Sequence, residues 1–141
     1  MNDKTKIMFN LARMHEYAND IIDICNNAGN DYSKVVDDKV TRYAVSMCLV
    51  QLGEHSARIR DIDQEYYEKN PNVQLLQIKH LRDRVVHSYG NIDYTIIKNI
   101  LSKDVPELKD YLEKSIIKEV LSNPYVLYDK EYEEFDQEPV N

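Results

Sequence analysis

From Ile7 onward, apolar residues return in alternating steps of four and three: Ile7, Leu11, Met14, Ala18, Ile21 and Cys25. That is the period of an α-helix holding one stripe against a core, and it does not fit the two-residue repeat of a strand. The spacing predicts a first helix over about residues 4 to 28. "NNAGNDYS" follows and reads as a loop from its Asn, Gly, Asp and Ser content. Asp37 or Asp38 can then cap a second helix, in which Val40, Tyr43, Met47 and Val50 repeat the seam and Glu54 continues it, up to about residue 60.

"DIDQEYYEKNPN" breaks the period, and Asn70 before Pro71 is biased away from helical dihedrals, so a third helix is expected from near Pro71. Gly90 is a natural helix stop and Asp93 a natural N-cap, which places "HSYGNID" at a corner. A fourth helix is expected from near 93, interrupted before Pro106 and resumed from Glu107 to about Leu121. With only three glycines and four prolines in 141 residues, the expected fold is all-α, an up-and-down bundle of roughly four or five helices. The expected organisation is one helical domain over 1–123 and a tail over 124–141. The tail is acidic: Asp129, Glu131, Glu133, Glu134, Asp136 and Glu138 face only Lys130. Its Tyr128, Tyr132 and Phe135 suggest contact with a basic partner surface or with a groove of the protein itself.

The formal charge of −7 argues against nonspecific coating of nucleic acid. "MNDKTKIMFN" lacks the apolar core of a signal peptide, and no uncharged stretch approaches the roughly 18 residues needed to cross a bilayer. A cytoplasmic protein with no membrane contact is expected. Cys25 and Cys48 form no C-x-x-C pair and read as buried reduced thiols. Bundles often hold metals through Glu-x-x-His pairs. This chain has no such pair, because its Glu–His neighbours, His15–Glu16 and Glu54–His55, point in different directions on a helix. No metal and no cofactor are expected.

The end of the third helix is unusual. "RDRVVHSY", residues 82 to 89, packs two arginines, an aspartate, a histidine and a tyrosine into two turns, with Gly90 next. At about 100° per residue, Arg82 and Tyr89 share a line that Leu75, Ile78, Val85 and Val86 surround, where an arginine is costly unless paired or opening onto a cleft. His87 lies roughly 140° round from Arg82, with His80, Asp83 and Arg84, so one straight helix cannot aim both at one atom. Either the helix unwinds near Gly90, or two copies of the chain build a shared site. Plainer readings stand beside these: Arg82 paired with a buried Glu54, His87 as a helix cap, and Tyr89 as a core residue with a wet hydroxyl.

Arg82, four intervening residues, His87, Ser88 and Tyr89 reproduce the R-x4-H-x-Y signature of the HepT-like branch of the HEPN superfamily. "LGEHSARI" at 52–59 resembles the G-E-x-x-x-x-I stretch of that family's second helix, and "LRDRVVHSYGNIDYTII" resembles its motif helix and following turn. The similarity runs over roughly residues 4 to 122. One departure is "VQLLQ" early in the third helix, where the family tends to carry an aromatic.

The resemblance implies a metal-independent endoribonuclease, a homodimer whose Arg/His pairs face one another across a cleft. It also implies a toxin with RNA as substrate and a minimal nucleotidyltransferase as antitoxin partner, which transfers AMP to the motif tyrosine, here Tyr89. In that setting His87 moves protons and Arg82 holds the phosphate. Asp83, one turn before His87, can orient the imidazole; Glu54 can position Arg82; Arg84, His80 and Lys79 add positive potential for RNA. The competing expectation is a noncatalytic binding subunit of a nucleotidyltransferase complex, with Arg82 and Tyr89 serving the interface.

Overall fold

The computed structural model describes residues 2–74 and 94–122. Its elements are α1 (Asp3–Asn27), α2 (Tyr32–Asp37), α3 (Lys39–Ile62), α4 (Gln64–Lys69), a 3-10 turn (Pro71–Val73), and a last helical arm. That arm consists of α5 (Tyr94–Asn99), a π-helical segment (Ile100–Asp104) and α6 (Val105–Ser122). The fold is all-α, in line with a HEPN-like bundle, and no strand occurs among the described residues.

Each start has a local cause. Asn2 accepts a hydrogen bond from the Thr5 amide at 2.8 Å and opens α1, whose expected seam is buried at every position from Ile7 to Cys25. Gly29 and Asn30 then take positive φ (67° and 57°), letting the Asn30 amide reach back to the Cys25 carbonyl at 2.8 Å and turn the chain. Asp38, rather than Asp37, caps α3 through the Thr41 amide at 2.8 Å, and Thr41 Oγ1 donates to the same carboxylate, which lowers the Asp38 pKa.

α1 packs mainly on α3 and α6. The core gathers Leu11, Met14 and Ile21 of α1, Leu49, Leu52 and Ile59 of α3, Val35 and Val36 of α2, Val73, and Val105, Leu108 and Leu112 of α6. Two ties pin α6 antiparallel to α1: His15 Nε2 to Glu113 Oε1 at 3.0 Å and Lys4 Nζ to Glu119 Oε2 at 3.5 Å. The His15 hydrogen bond also holds Glu113 below the usual carboxylate range. Cys25 and Cys48 are free and buried, and burial pushes both thiols up to about 11, which keeps them protonated and poorly nucleophilic. No described helix is long and apolar enough to cross a membrane.

Four expectations are corrected. The stretch after α1 is not all loop: Asp31 caps a short α2, held by burial of Val35 and Val36. "DIDQEYYEKNPN" likewise contains α4, capped by Asp63, because capping and tertiary contact form a turn and a half where periodicity is silent. The last arm is not broken before Pro106. Pro106 has no N–H for the Ser102 carbonyl, and the helix absorbs this by widening, with the Val105 amide donating to the Ile100 carbonyl five residues back.

The fourth correction concerns α3. The seam Val40, Tyr43, Met47 points outward, with exposures of 77%, 47% and 60%, and Glu54 at its end is exposed too. The face against α1 is instead Val45, Cys48, Leu49, Leu52, His55, Ser56 and Ile59. α3 is apolar on two sides, so periodicity fits either, and contact with α1 selects the one where Leu49, Leu52 and Ile59 fill the core.

Candidate functional site

Arg82, Asp83, Arg84, His87, Tyr89, His80 and Lys79 lie outside the described residues, as do the Gly90–Asp93 corner and the acidic tail. What is described is the frame on either side of the motif. Before it, Asn70 and Pro71 lead into the 3-10 turn, and Val73 is buried in the core. Ser56 Oγ of α3 donates to the Val73 carbonyl. Asn70 is clamped from two sides: its Nδ2 donates to the Tyr66 carbonyl at 2.8 Å, and Tyr111 of α6 donates its hydroxyl to Asn70 Oδ1 at 2.5 Å. Gln74 Nε2 adds a bond to the Tyr67 carbonyl at 2.9 Å. The chain therefore enters the motif stretch from a point held by α3, α4 and α6 together. Beyond the motif, α5 packs against α2.

Burial pushes the Tyr66 phenol up to about 12, with Tyr111 and Glu119 adding to the shift, so this ring serves as a neutral strut and not as a proton donor near neutrality.

Of the predicted site residues, only Glu54 is described. It lies at the surface of α3, on the side away from the α1 contact, so it is not the buried acid expected beneath Arg82. Its neighbour His55 is the buried one, 5% exposed, with Nδ1 2.8 Å from Asn10 Oδ1 of α1. Asn10 Nδ2 donates to the Lys6 carbonyl at 2.8 Å, which turns Oδ1 toward the ring and assigns the imidazole proton to Nδ1. Tyr17 stacks on the ring at 5.9 Å between centroids. The sequence carries one signal of this, since 52, 55, 56 and 59 share a helix face; the partner, 45 residues away in α1, leaves none.

Burial drives His55 down to about 4, with Arg58 and Arg13 lowering it further and Glu16 opposing. The unfolded chain thus takes up this proton first as pH falls. The contribution is present above about pH 6.5 and lost toward pH 4, and by pH 5 the loss is about 2 kcal/mol. Urea unfolding at pH 7.5 and pH 5 should show that drop in the wild type and little of it in His55→Gln; equal drops in both would show that His55 is not the group responsible.

The model of the family described as ribonuclease HepT-like matches residues 12–115, a span that contains the whole motif. Among curated proteins, the chain is 37% identical over 98 residues to "Putative RNase MJ1380" of Methanocaldococcus jannaschii, covering 70% of this chain and 85% of that protein. A second protein of that organism, "Putative RNase MJ1216", is 31% identical over 105 residues, 74% of this chain and 82% of its own length. "Probable ribonuclease HepT" of Thermococcus cleftensis is 29% identical over 77 residues, 55% of this chain and 67% of that one. No solved structure matches.

Proposed function

The chain belongs to the HepT-like ribonuclease family, and from that membership we propose that it is a metal-independent endoribonuclease, with Arg82 and His87 of two copies lining one RNA groove. The observation that carries this reading is the complete R-x4-H-x-Y-G-x-x-D pattern, Arg82 to Asp93, inside the family match.

The chemistry suits these residues. Metal-free RNA cleavage needs a base for the 2′-hydroxyl proton, a cation for the phosphorane and an acid for the leaving oxygen. A histidine with an ordinary pKa near 6.5 serves as base or acid, and a two-fold groove supplies two of them. One His87 takes the 2′ proton, the 2′-oxygen displaces the 5′-oxygen at phosphorus, and the other His87 protonates the departing 5′-oxygen. Arg82 cannot titrate usefully, but its planar fork matches two phosphate oxygens. Asp83 orients the imidazole, Lys79, His80 and Arg84 attract the RNA backbone, and Glu54 acts from the surface of α3 in positioning Arg82.

The test is incubation of the purified chain with a generic RNA in the presence of a chelator. Cleavage is expected, and an oligonucleotide carrying 2′-deoxyribose at the cut site should resist. No cleavage by partner-free protein would instead fit a noncatalytic binding subunit.

Control falls to Tyr89 in this reading. A phenol with a pKa near 10 is a poor proton carrier at neutral pH. AMP transferred to it by a minimal nucleotidyltransferase antitoxin would set a negative charge and an adenosine at the mouth of the groove. Tyr89→Phe should keep most nuclease activity and escape neutralisation by that partner. Loss of cleavage in a folded Tyr89→Phe would move the tyrosine into the catalytic machinery.

A further inference from the structure

The first turns of α1 are buried on more sides than its two neighbouring helices account for. Ile7 and Leu11 enter the core along the seam, yet Thr5, Met8 and Phe9 are also only 2%, 1% and 6% exposed, and neither Met8 nor Phe9 belongs to the core cluster. At about 100° per residue, Phe9 leaves α1 roughly 160° from the seam, roughly 100° from Asn10, which faces α3, and roughly 120° from His15, which faces α6. It therefore points away from both helices. Arg13 of α1 lies over its ring at 5.3 Å, and Thr5 shares its side of the helix one turn earlier. Glu16, Asp20 and Asp23 continue that side and are all exposed. The cover is thus confined to the end of α1 where Lys4 meets Glu119 of α6.

A phenylalanine on the back of a helix is shut off from water only by something laid across it. The tail starts beside it. α6 reaches Ser122, and the sequence runs on as "NPYVLY" before its acids begin at Asp129. Tyr125, Val126, Leu127 and Tyr128 form an uncharged apolar and aromatic run. Extended chain from Ser122 to Tyr128 spans up to about 20 Å. Phe9 lies only about 7.5 Å of helix rise beyond Lys4. The motif stretch departs from another side of the bundle: Val73 is in the core and tied to Ser56 of α3, and Asn70 is clamped by Tyr111 of α6.

We propose that residues 124–128 fold back as a strap across the outer side of α1, over Thr5 and Phe9, so that the chain leaves the domain at Asp129 and not at Pro124. The juxtaposition that carries the proposal is a buried aromatic on the back of α1, beside the point from which an uncharged aromatic run departs. The family match stops at residue 115, and the strap does not rest on the nuclease reading.

The full chain has no tryptophan, so Phe9→Trp supplies a single fluorescent reporter. Its emission should be blue-shifted and resist quenching by iodide. Replacing Tyr125, Val126, Leu127 and Tyr128 together by serine should shift the emission to the red and admit the quencher, with helical circular dichroism unchanged. Tyr132→Ser with Phe135→Ser should leave the reporter as it was. Proteinase K on the unsubstituted chain gives a second measurement that no folding defect can confuse: early cuts should fall within 129–141 and spare 124–128. An unchanged reporter in the folded four-serine variant would overturn the strap and assign the cover of Phe9 to the motif stretch. Equal cutting of 124–128 and 129–141 would overturn it as well.

Discussion

His87→Ala is expected to lower metal-free RNA cleavage by about 10²- to 10⁴-fold, the range associated with loss of a positioned acid or base. Arg82→Ala should cause a loss of about 10²- to 10³-fold, as when a donor that stabilises developing charge is removed. Because both pairs are proposed to line one groove, mixing the two inactive variants offers a sharp readout. If subunits exchange, every heterodimer keeps one Arg82 but only one of the two His87 side chains that the proposed step uses as base and acid, so activity should stay low; return of a large part of it would mean that a single histidine suffices. Initial rates on a fluorescent RNA, with circular dichroism to verify folding, measure this. Wild-type rates in His87→Ala would remove the histidine from the mechanism.

Leu52→Ala is the substitution expected to cost most in stability. Leu52 is fully buried on the inner face of α3, within the cluster that Leu11 and Met14 of α1 complete. Truncating a buried leucine removes its transfer free energy and leaves a cavity, together about 2–5 kcal/mol, a large share of the roughly 5–15 kcal/mol that holds a domain folded. Ile117→Ala, at a site 57% exposed, should stay within about 0.5 kcal/mol. Urea denaturation of the two variants measures the contrast. Equal midpoints would mean that the inner face of α3 is misassigned.

Acid adds a separate stress. The low pKa of His55 follows first from the same burial that packs α3 on α1, so its contribution to the bundle is lost as pH falls below about 6.5.

The family motif was legible in the sequence, since Arg82, His87 and Tyr89 stand at the spacing of its signature, and the roles proposed for them come from that resemblance. Glu54 was legible as part of a seam but misjudged as buried, because a seam states which residues share a face and not whether that face turns inward. The ties that fix the entrance to the motif, Ser56 to Val73 and Tyr111 to Asn70, join residues 17 and 41 positions apart. No local rule predicts such pairs.

What the sequence determined by itself is local: the α1 stripe, a carboxylate cap at Asp37 or Asp38, the break in the chain around Gly29 and Asn30, and the all-α class. Each depends on interactions within a turn or two, where spacing and side-chain chemistry decide the outcome. Only the tertiary structure decided which of the two apolar sides of α3 became core. It also stabilised α2 and α4, which are too short to persist alone, and carried the last arm through Pro106 by a wider turn. The physical reason is common to all three: a short or two-faced helix gains its stability from what it packs against, and that surface comes from distant parts of the chain.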